Sequence, residues 1–137
     1  MAPQAAQSGE WSGNTLRALD HWFHLATITG QPEAVDNALR LARGVGHNRR
    51  IKQLLQKRGF TDNLETLREY VATCEALGNI DEAISTLENQ RQGYAIKYSL
   101  EQLARLYEDI GHPQKAVEAH LERISSYGAT VLRLPQF

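Results

Sequence analysis

A single cysteine, Cys74, stands in the 137-residue chain, so no internal disulfide can brace the fold. No apolar run approaches the roughly 18 to 20 residues that a membrane helix needs, which excludes a span of that kind. Met1 to Ser12 has neither the basic start nor the apolar stretch of a signal peptide, so an exported form would carry its signal outside this chain. Net charge is nearly absent as well: 15 Lys and Arg against 16 Asp and Glu leave −1, and no global field recruits nucleic acid or an anionic membrane.

Chemistry-bearing constellations are equally sparse. His21 and His24 lie three apart, but no acidic or Cys partner follows at ligand spacing, so no metal is expected. Gly44, Gly46 and the following His47, Asn48 and Arg49 imitate a phosphate loop, yet no strand pattern precedes them and no Gly-Lys-Ser or Gly-Lys-Thr follows. Glu101, Glu108 and Asp109 offer carboxylates without an apolar pocket pattern to split their pKa values, as acid–base catalysis requires. With no convergent nucleophile, base and orienting group, the expectation is a protein that is not an enzyme and uses no cofactor.

What the chain has is a period. Between Leu64 and Tyr127 one helical pattern occurs twice, offset by 33 residues: Leu67 pairs with Leu100, Tyr70 with Leu103, Val71 with Ala104, Cys74 with Tyr107, Gly78 with Gly111 and Ala83 with Ala116. A helix–turn–helix unit of about 34 residues marks a repeat architecture. The 42% apolar content suffices for one packed domain.

In chain order, residues 1–13 read as a loose lead-in. From Asn14 a helix presents Leu16, Leu19, Trp22, Phe23 and Ala26 on one face and stops at Gly30. Pro32 suits the first position of the next helix, which carries Ala34, Val35, Ala38, Leu41 and Ala42 and runs out at Gly44 and Gly46. Asn48 to Arg58 gives a short helix with Ile51, Leu54 and Leu55 inward and Lys52, Gln53, Gln56 and Lys57 outward, ended by Gly59. It interrupts the period, since Gly30 to Gly78 is 48 residues, 15 more than the later interval. Asp62 and Glu65 have capping-box spacing and place the next helix start near Asp62. Asn79 and Glu82 repeat that spacing before an arm with Ile80, Ala83, Ile84 and Leu87, ended by Gly93. A last hairpin runs from about Ile96 to Ile110, turns at Gly111 and His112, and continues from Pro113 through Ala116, Val117, His120 and Ile124 to Gly128. Residues 129–137, with Pro135, form a tail. The expected units are therefore 14–46, an inserted 47–60, 61–93 and 94–128.

These hairpins resemble the tetratricopeptide repeat. Leu100, Leu103, Ala104, Tyr107, Gly111 and Ala116 occupy the family's pattern in order, in the stretch "LYEDIGHPQKAVEAH". Leu67, Tyr70, Gly78, Ala83 and Leu87 form a degenerate copy, with Val71 at the small position and Cys74 at the Tyr position. Leu19, Trp22, Ala26 and Gly30 form the first, where "GQPEAV" is one residue shorter before its Ala than "GNIDEA". The resemblance implies an all-α fold, a right-handed superhelix of antiparallel helix hairpins with about three repeats plus one short extra helix. Its concave lining would be Arg17, Asp20, His24 and Thr27, then Glu65, Arg68, Ala72 and Glu75, then Tyr98, Glu101, Arg105, Glu108 and Asp109. That lining is mildly acidic. Family members that clamp a chaperone's C-terminal carboxylate use Lys and Asn at places held here by Asp20 and His24, Arg68 and Ala72, Glu101 and Arg105, so such a clamp is not expected. The stretch from Glu65 to Arg123 also resembles the tetratricopeptide region of outer-membrane secretion components of Pel-type exopolysaccharide export. That resemblance implies a periplasmic scaffold, a segment of a longer array, which recruits a polysaccharide-modifying enzyme and guides a charged polysaccharide towards an outer-membrane pore. Without it a cytoplasmic scaffold is the expectation.

The remaining signal is charge segregation. Arg40, Arg43, Arg49, Arg50, Lys52, Lys57 and Arg58 are seven of the fifteen basic residues, and no Asp or Glu stands between residues 37 and 61. One reading makes this ridge a docking face for an acidic protein or for RNA; the plainer one makes it a solvated helix face. No aromatic residue lies between Phe23 and Phe60 to stack bases, which argues against single-strand binding. The leading expectation is a protein–protein interaction scaffold using the acidic lining or the ridge. A helical-repeat RNA binder using residues 40–58 is the alternative.

Overall fold

A computed structural model of the chain describes residues 13–59, 63–91 and 95–132, with side chains as far as residue 125. Among the described residues there are seven helices and no strand: α1 Gly13–Thr29, α2 Pro32–Val45, α3 Asn48–Arg58, α4 Leu64–Ala76, α5 Ile80–Asn89, α6 Ile96–Asp109 and α7 Pro113–Leu132. The expected lead-in before Gly13, Asp62, the stop at Gly93 and the tail beyond Leu132 lie outside the described residues.

Three turns share one construction. Gly30, Gly78 and Gly111 take φ of 69°, 78° and 82°, a left-handed conformation that costs a residue with a Cβ about 1–2 kcal/mol. Each is followed two residues later by a helix start, at Pro32, Ile80 and Pro113. The proline at two of these starts loses nothing, because a first-turn amide has no partner in the helix. At Gly111 the His112 amide bonds the Tyr107 carbonyl at 2.8 Å and the Gly111 amide bonds the Glu108 carbonyl, closing the helix end.

The chain divides between Leu77 and Gly78 into two compact units. In the first, α1 packs on α2, α3 packs on both, and α4 packs on α3. Its core is built from Leu19, Leu39, Leu54, Leu55, Leu67 and Val71 with the small residues Ala26, Ala38, Ala42 and Cys74 between them. In the second, α5 packs on α6 and α6 on α7 around Leu87, Leu100, Leu103, Leu106 and Tyr107, with Ala83, Ala104, Ala116 and Ala119 at the close approaches.

The expected period holds in burial as well as in sequence. Leu67 and Leu100, Tyr70 and Leu103, Val71 and Ala104, Cys74 and Tyr107, and Ala83 and Ala116 are all buried, although several pairs differ in size. The short spacing in "GQPEAV" resolves differently from what its Ala suggested. Counting from the turn glycine, Val35 rather than Ala34 stands at the place of Ala83 and Ala116, and Leu39 at that of Leu87; all are buried. The spacing from turn glycine to buried residue is thus equal after all three turns, and the first simply uses Val where the others use Ala.

Several local expectations are corrected. The cap of α4 is Asn63, whose side chain accepts from the Thr66 amide at 3.1 Å, one residue past the expected Asp62. Asn79 precedes α5 without a side-chain cap bond. In α2, Leu39 is fully buried and Leu41 only half-buried, and in α1 Leu16 is exposed while Trp22 and Phe23 are half-buried. Gly128 does not end α7, which continues to Leu132. On that helix Ala116 and Ala119 face inward, whereas Val117 and Ile124 are exposed.

Candidate functional site

The basic ridge follows from where α3 lies. Its apolar line of Ile51, Leu54 and Leu55 is buried, which turns Arg49 and Gln53 outward, leaves Lys52 half-buried, lets Gln56 donate to the Tyr70 hydroxyl of α4 and brings Arg50, Lys57 and Arg58 to the helix edges. At those edges the cations meet partners from other helices. Arg50 pairs with Asp20 of α1 at 2.5 Å, and its guanidinium lies over the Phe23 ring, 4.7 Å from the centroid. Arg58 pairs with Asp36 of α2 at 3.1 Å, and Lys57 donates to the Thr27 carbonyl. Arg43 of α2 makes a two-pronged bond to Glu69 of α4, both contacts 2.7 Å, and that bond raises its pKa further. Arg40 donates to the Asn37 side chain within its own helix. Arg49 is exposed. The ridge is therefore one strip in sequence but mostly a set of ties between helices in space. A recess of about 240 Å³ beside it, lined by Gly30, Pro32, Val35, Asp36, Lys57 and Arg58, contains cations that are already engaged.

The expected lining residues lie on the first helices of the hairpins. On α1, Arg17, Asp20, His24 and Thr27 are exposed along one face, and the Asp20–Arg50 pair joins that face to the ridge. On α4, Glu65, Arg68 and Ala72 are exposed and Glu75 half-buried. On α6, Glu101, Arg105, Glu108 and Asp109 are exposed and Tyr98 half-buried, with Arg105 reaching Gln102 and lying 3.8 Å from Asp109. Glu101 and Glu108 stand two turns apart on one side of α6, so this face stays net negative.

One polar cluster has no counterpart in the sequence reading. Tyr107 of α6 donates to Glu88 of α5, and Arg91, just past α5, bonds both Glu88 and Glu122 of α7. Burial pushes the Glu88 carboxyl up, but the bonds from Tyr107 and Arg91 and the charges of Arg91 and Lys115 outweigh it and hold it below its ordinary range. Burial and the hydrogen bond to Glu88 push the Tyr107 phenol up to about 12. Arg91 is raised by its bonds to Glu122 and Glu88. The only signal available in the sequence was the 31-residue spacing of Arg91 and Glu122, close to one repeat.

His21 is exposed and lies edge-on to Trp22 at 5.6 Å, and no group of three or more His, Cys, Asp or Glu suited to a metal occurs among the described residues. No helix of the described residues is long and apolar enough to cross a membrane. In comparisons with protein-family models, characterised proteins and solved structures, no significant match to this chain is found.

Proposed function

We propose that this chain is a tetratricopeptide-like, non-catalytic scaffold that binds another protein through the polar face of a first helix, above all the Glu101–Glu108 face of α6. The observation that carries this reading is the repeat register. The core pairs 33 apart, Leu67 and Leu100 through Ala83 and Ala116, share burial, and the three turn glycines share one conformation, while polar positions of the same helices are exposed. An architecture of this kind spends its apolar residues on stacking and presents extended helix faces to partners.

Between the two candidate faces, ion pairing favours the acidic one. Arg43, Arg50 and Arg58 are committed to Glu69, Asp20 and Asp36, which weakens the field of the ridge, whereas Glu101 and Glu108 are exposed. The same pairing weighs against the RNA reading, which needs several cations aimed outward at phosphates. A net-negative face suits a cationic surface on a partner protein, and a cationic polysaccharide has the same charge complementarity. Within a Pel-type export machine the partner would be a polysaccharide-modifying enzyme and the compartment the periplasm.

The test compares partner retention by the immobilised wild-type chain, by Glu101→Lys with Glu108→Lys, and by Arg40→Gln with Arg49→Gln. The ridge variant spares the arginines that tie helices together. Retention lost only in the α6 variant supports the proposal. Retention lost only in the ridge variant, or unchanged in both, overturns it.

A further inference from the structure

The short α3 opens on a residue outside the usual capping set. Ser, Thr, Asp and Asn are preferred there, because a short oxygen-bearing side chain reaches a free amide of the first turn. Here the cap is His47, whose Nδ1 accepts the Arg50 amide at 3.3 Å. The backbone of His47 is fixed on both sides: its amide donates to the Ala42 carbonyl at 2.9 Å and its carbonyl accepts from the Ile51 amide at 3.0 Å. α4 meets the same need with Asn63, whose side chain accepts the Thr66 amide at the same spacing.

The two caps differ in one property. An amide oxygen accepts at any pH, whereas Nδ1 accepts only while the ring is neutral, since a protonated imidazole has two donors and no acceptor. An imidazole changes charge between about pH 8 and pH 5. Protonation therefore removes the acceptor and sets a positive charge at the N-terminal end of a helix, where the macrodipole opposes it. Charged groups from four helices are tied to this turn. Arg43 of α2, whose carbonyl accepts the Gly46 amide, is bonded to Glu69 of α4; Asp20 of α1 is bonded to Arg50; and α3 adds the exposed Arg49. Glu69 and Asp20 thus each hold an arginine already.

More than one helical turn depends on this cap. Arg50, whose amide His47 holds, also carries the guanidinium that ties α3 to Asp20 and covers the Phe23 ring of α1. We infer that His47 is a proton-sensitive cap. Neutral, it holds the first turn of α3 and with it the Arg50–Asp20 tie; protonated, it lets that turn fray and frees Asp20 on the exposed face of α1. The inference rests on capping geometry and not on the partner face proposed for α6, so either can fail alone.

Urea unfolding of the full chain at about pH 7.5 and about pH 5.5, on either side of the ordinary imidazole range, tests it with two variants. His47→Asn installs the cap that α4 uses, which does not titrate, and His47→Ala removes the cap; both keep every other histidine. Between the two pH values the unfolding constant of the wild type should rise about fivefold more than that of His47→Asn, the effect of losing one cap. His47→Ala should be raised by a similar factor at the higher pH already and should follow His47→Asn in its pH response. A His47→Asn variant with the pH response of the wild type overturns the inference, as does a His47→Ala variant that matches the wild type at the higher pH. Amide hydrogen exchange of the wild type localises the change: protection at Arg50 and Ile51 should fall on acidification while that of Leu103 in α6 holds. An equal loss at all three overturns the local cap.

Discussion

In the first unit the joints between helices are crossed by arginine: Arg43 reaches Glu69, Arg50 reaches Asp20 and Arg58 reaches Asp36. In the second unit the polar ties between helices gather in one cluster, Glu88, Arg91, Tyr107 and Glu122, beside a core of Leu and Ala side chains. The difference follows from the period. Where the 33-residue register holds, small residues at Ala83, Ala104 and Ala116 let helices approach and large ones fill the space. The short α3 falls outside that register and has three large buried residues, Ile51, Leu54 and Leu55, on a helix with five cations at its rim and ends. Its Arg50 and Arg58 meet Asp20 and Asp36 of the neighbouring helices, so part of the basic strip ties helices together.

Core truncations should show the largest effects and test whether α3 belongs to the fold. Leu103→Ala in α6 and Leu54→Ala in α3 remove fully buried side chains and should each cost about 2–5 kcal/mol in denaturant unfolding. A cost for Leu54→Ala well under half that of Leu103→Ala would make α3 an appendage and break the comparison.

The turn glycines come next. Gly30→Ala, Gly78→Ala and Gly111→Ala meet no steric obstacle, since nothing lies within 4 Å of an added Cβ. Only the left-handed backbone resists, so each should cost about 1–2 kcal/mol, and the three costs should agree. A negligible cost at Gly30 alone would mean that the first hairpin does not share the turn of the others.

The polar cluster predicts a pH signature confined to the second unit. The Tyr107 phenol stands at about 12 against an ordinary 10, so the folded state favours its protonated form. That contribution is complete below pH 10 and is lost as pH rises towards 12. Glu88 acts in the opposite direction: its pKa is lowered, so its contribution is present above the ordinary carboxylate range and is lost as pH falls through its folded value. Tyr107→Phe should remove the alkaline loss of unfolding temperature. An unchanged alkaline profile would place the titration elsewhere.

The helical period was legible because it depends on local spacing: Leu67 with Leu100, Ala83 with Ala116 and the turn glycines can be counted along the chain. Residue size alone misled at "GQPEAV", where Ala34 looked equivalent to Ala83 although backbone register selects Val35. Gly128 looked like a stop, yet a glycine ends a helix only where the backbone turns left-handed, and α7 continues through it. The ties of Arg43, Arg50 and Arg58 were hidden because their partners lie 22 to 30 residues away on other helices, at distances set by helix packing and not by sequence spacing. For the same reason Val117 and Ile124 read as an inward face until Ala116 and Ala119 were seen to take that side.

Whether the ridge ties helices together is tested most directly by a double-mutant cycle on Arg50 and Asp20, read by denaturant unfolding together with partner retention. A structural ridge predicts a coupling of about 0.5–1 kcal/mol between Arg50→Ala and Asp20→Ala, with retention unchanged in both single variants. Zero coupling, together with retention lost in Arg50→Ala, would contradict the account and return the ridge to the role of docking face.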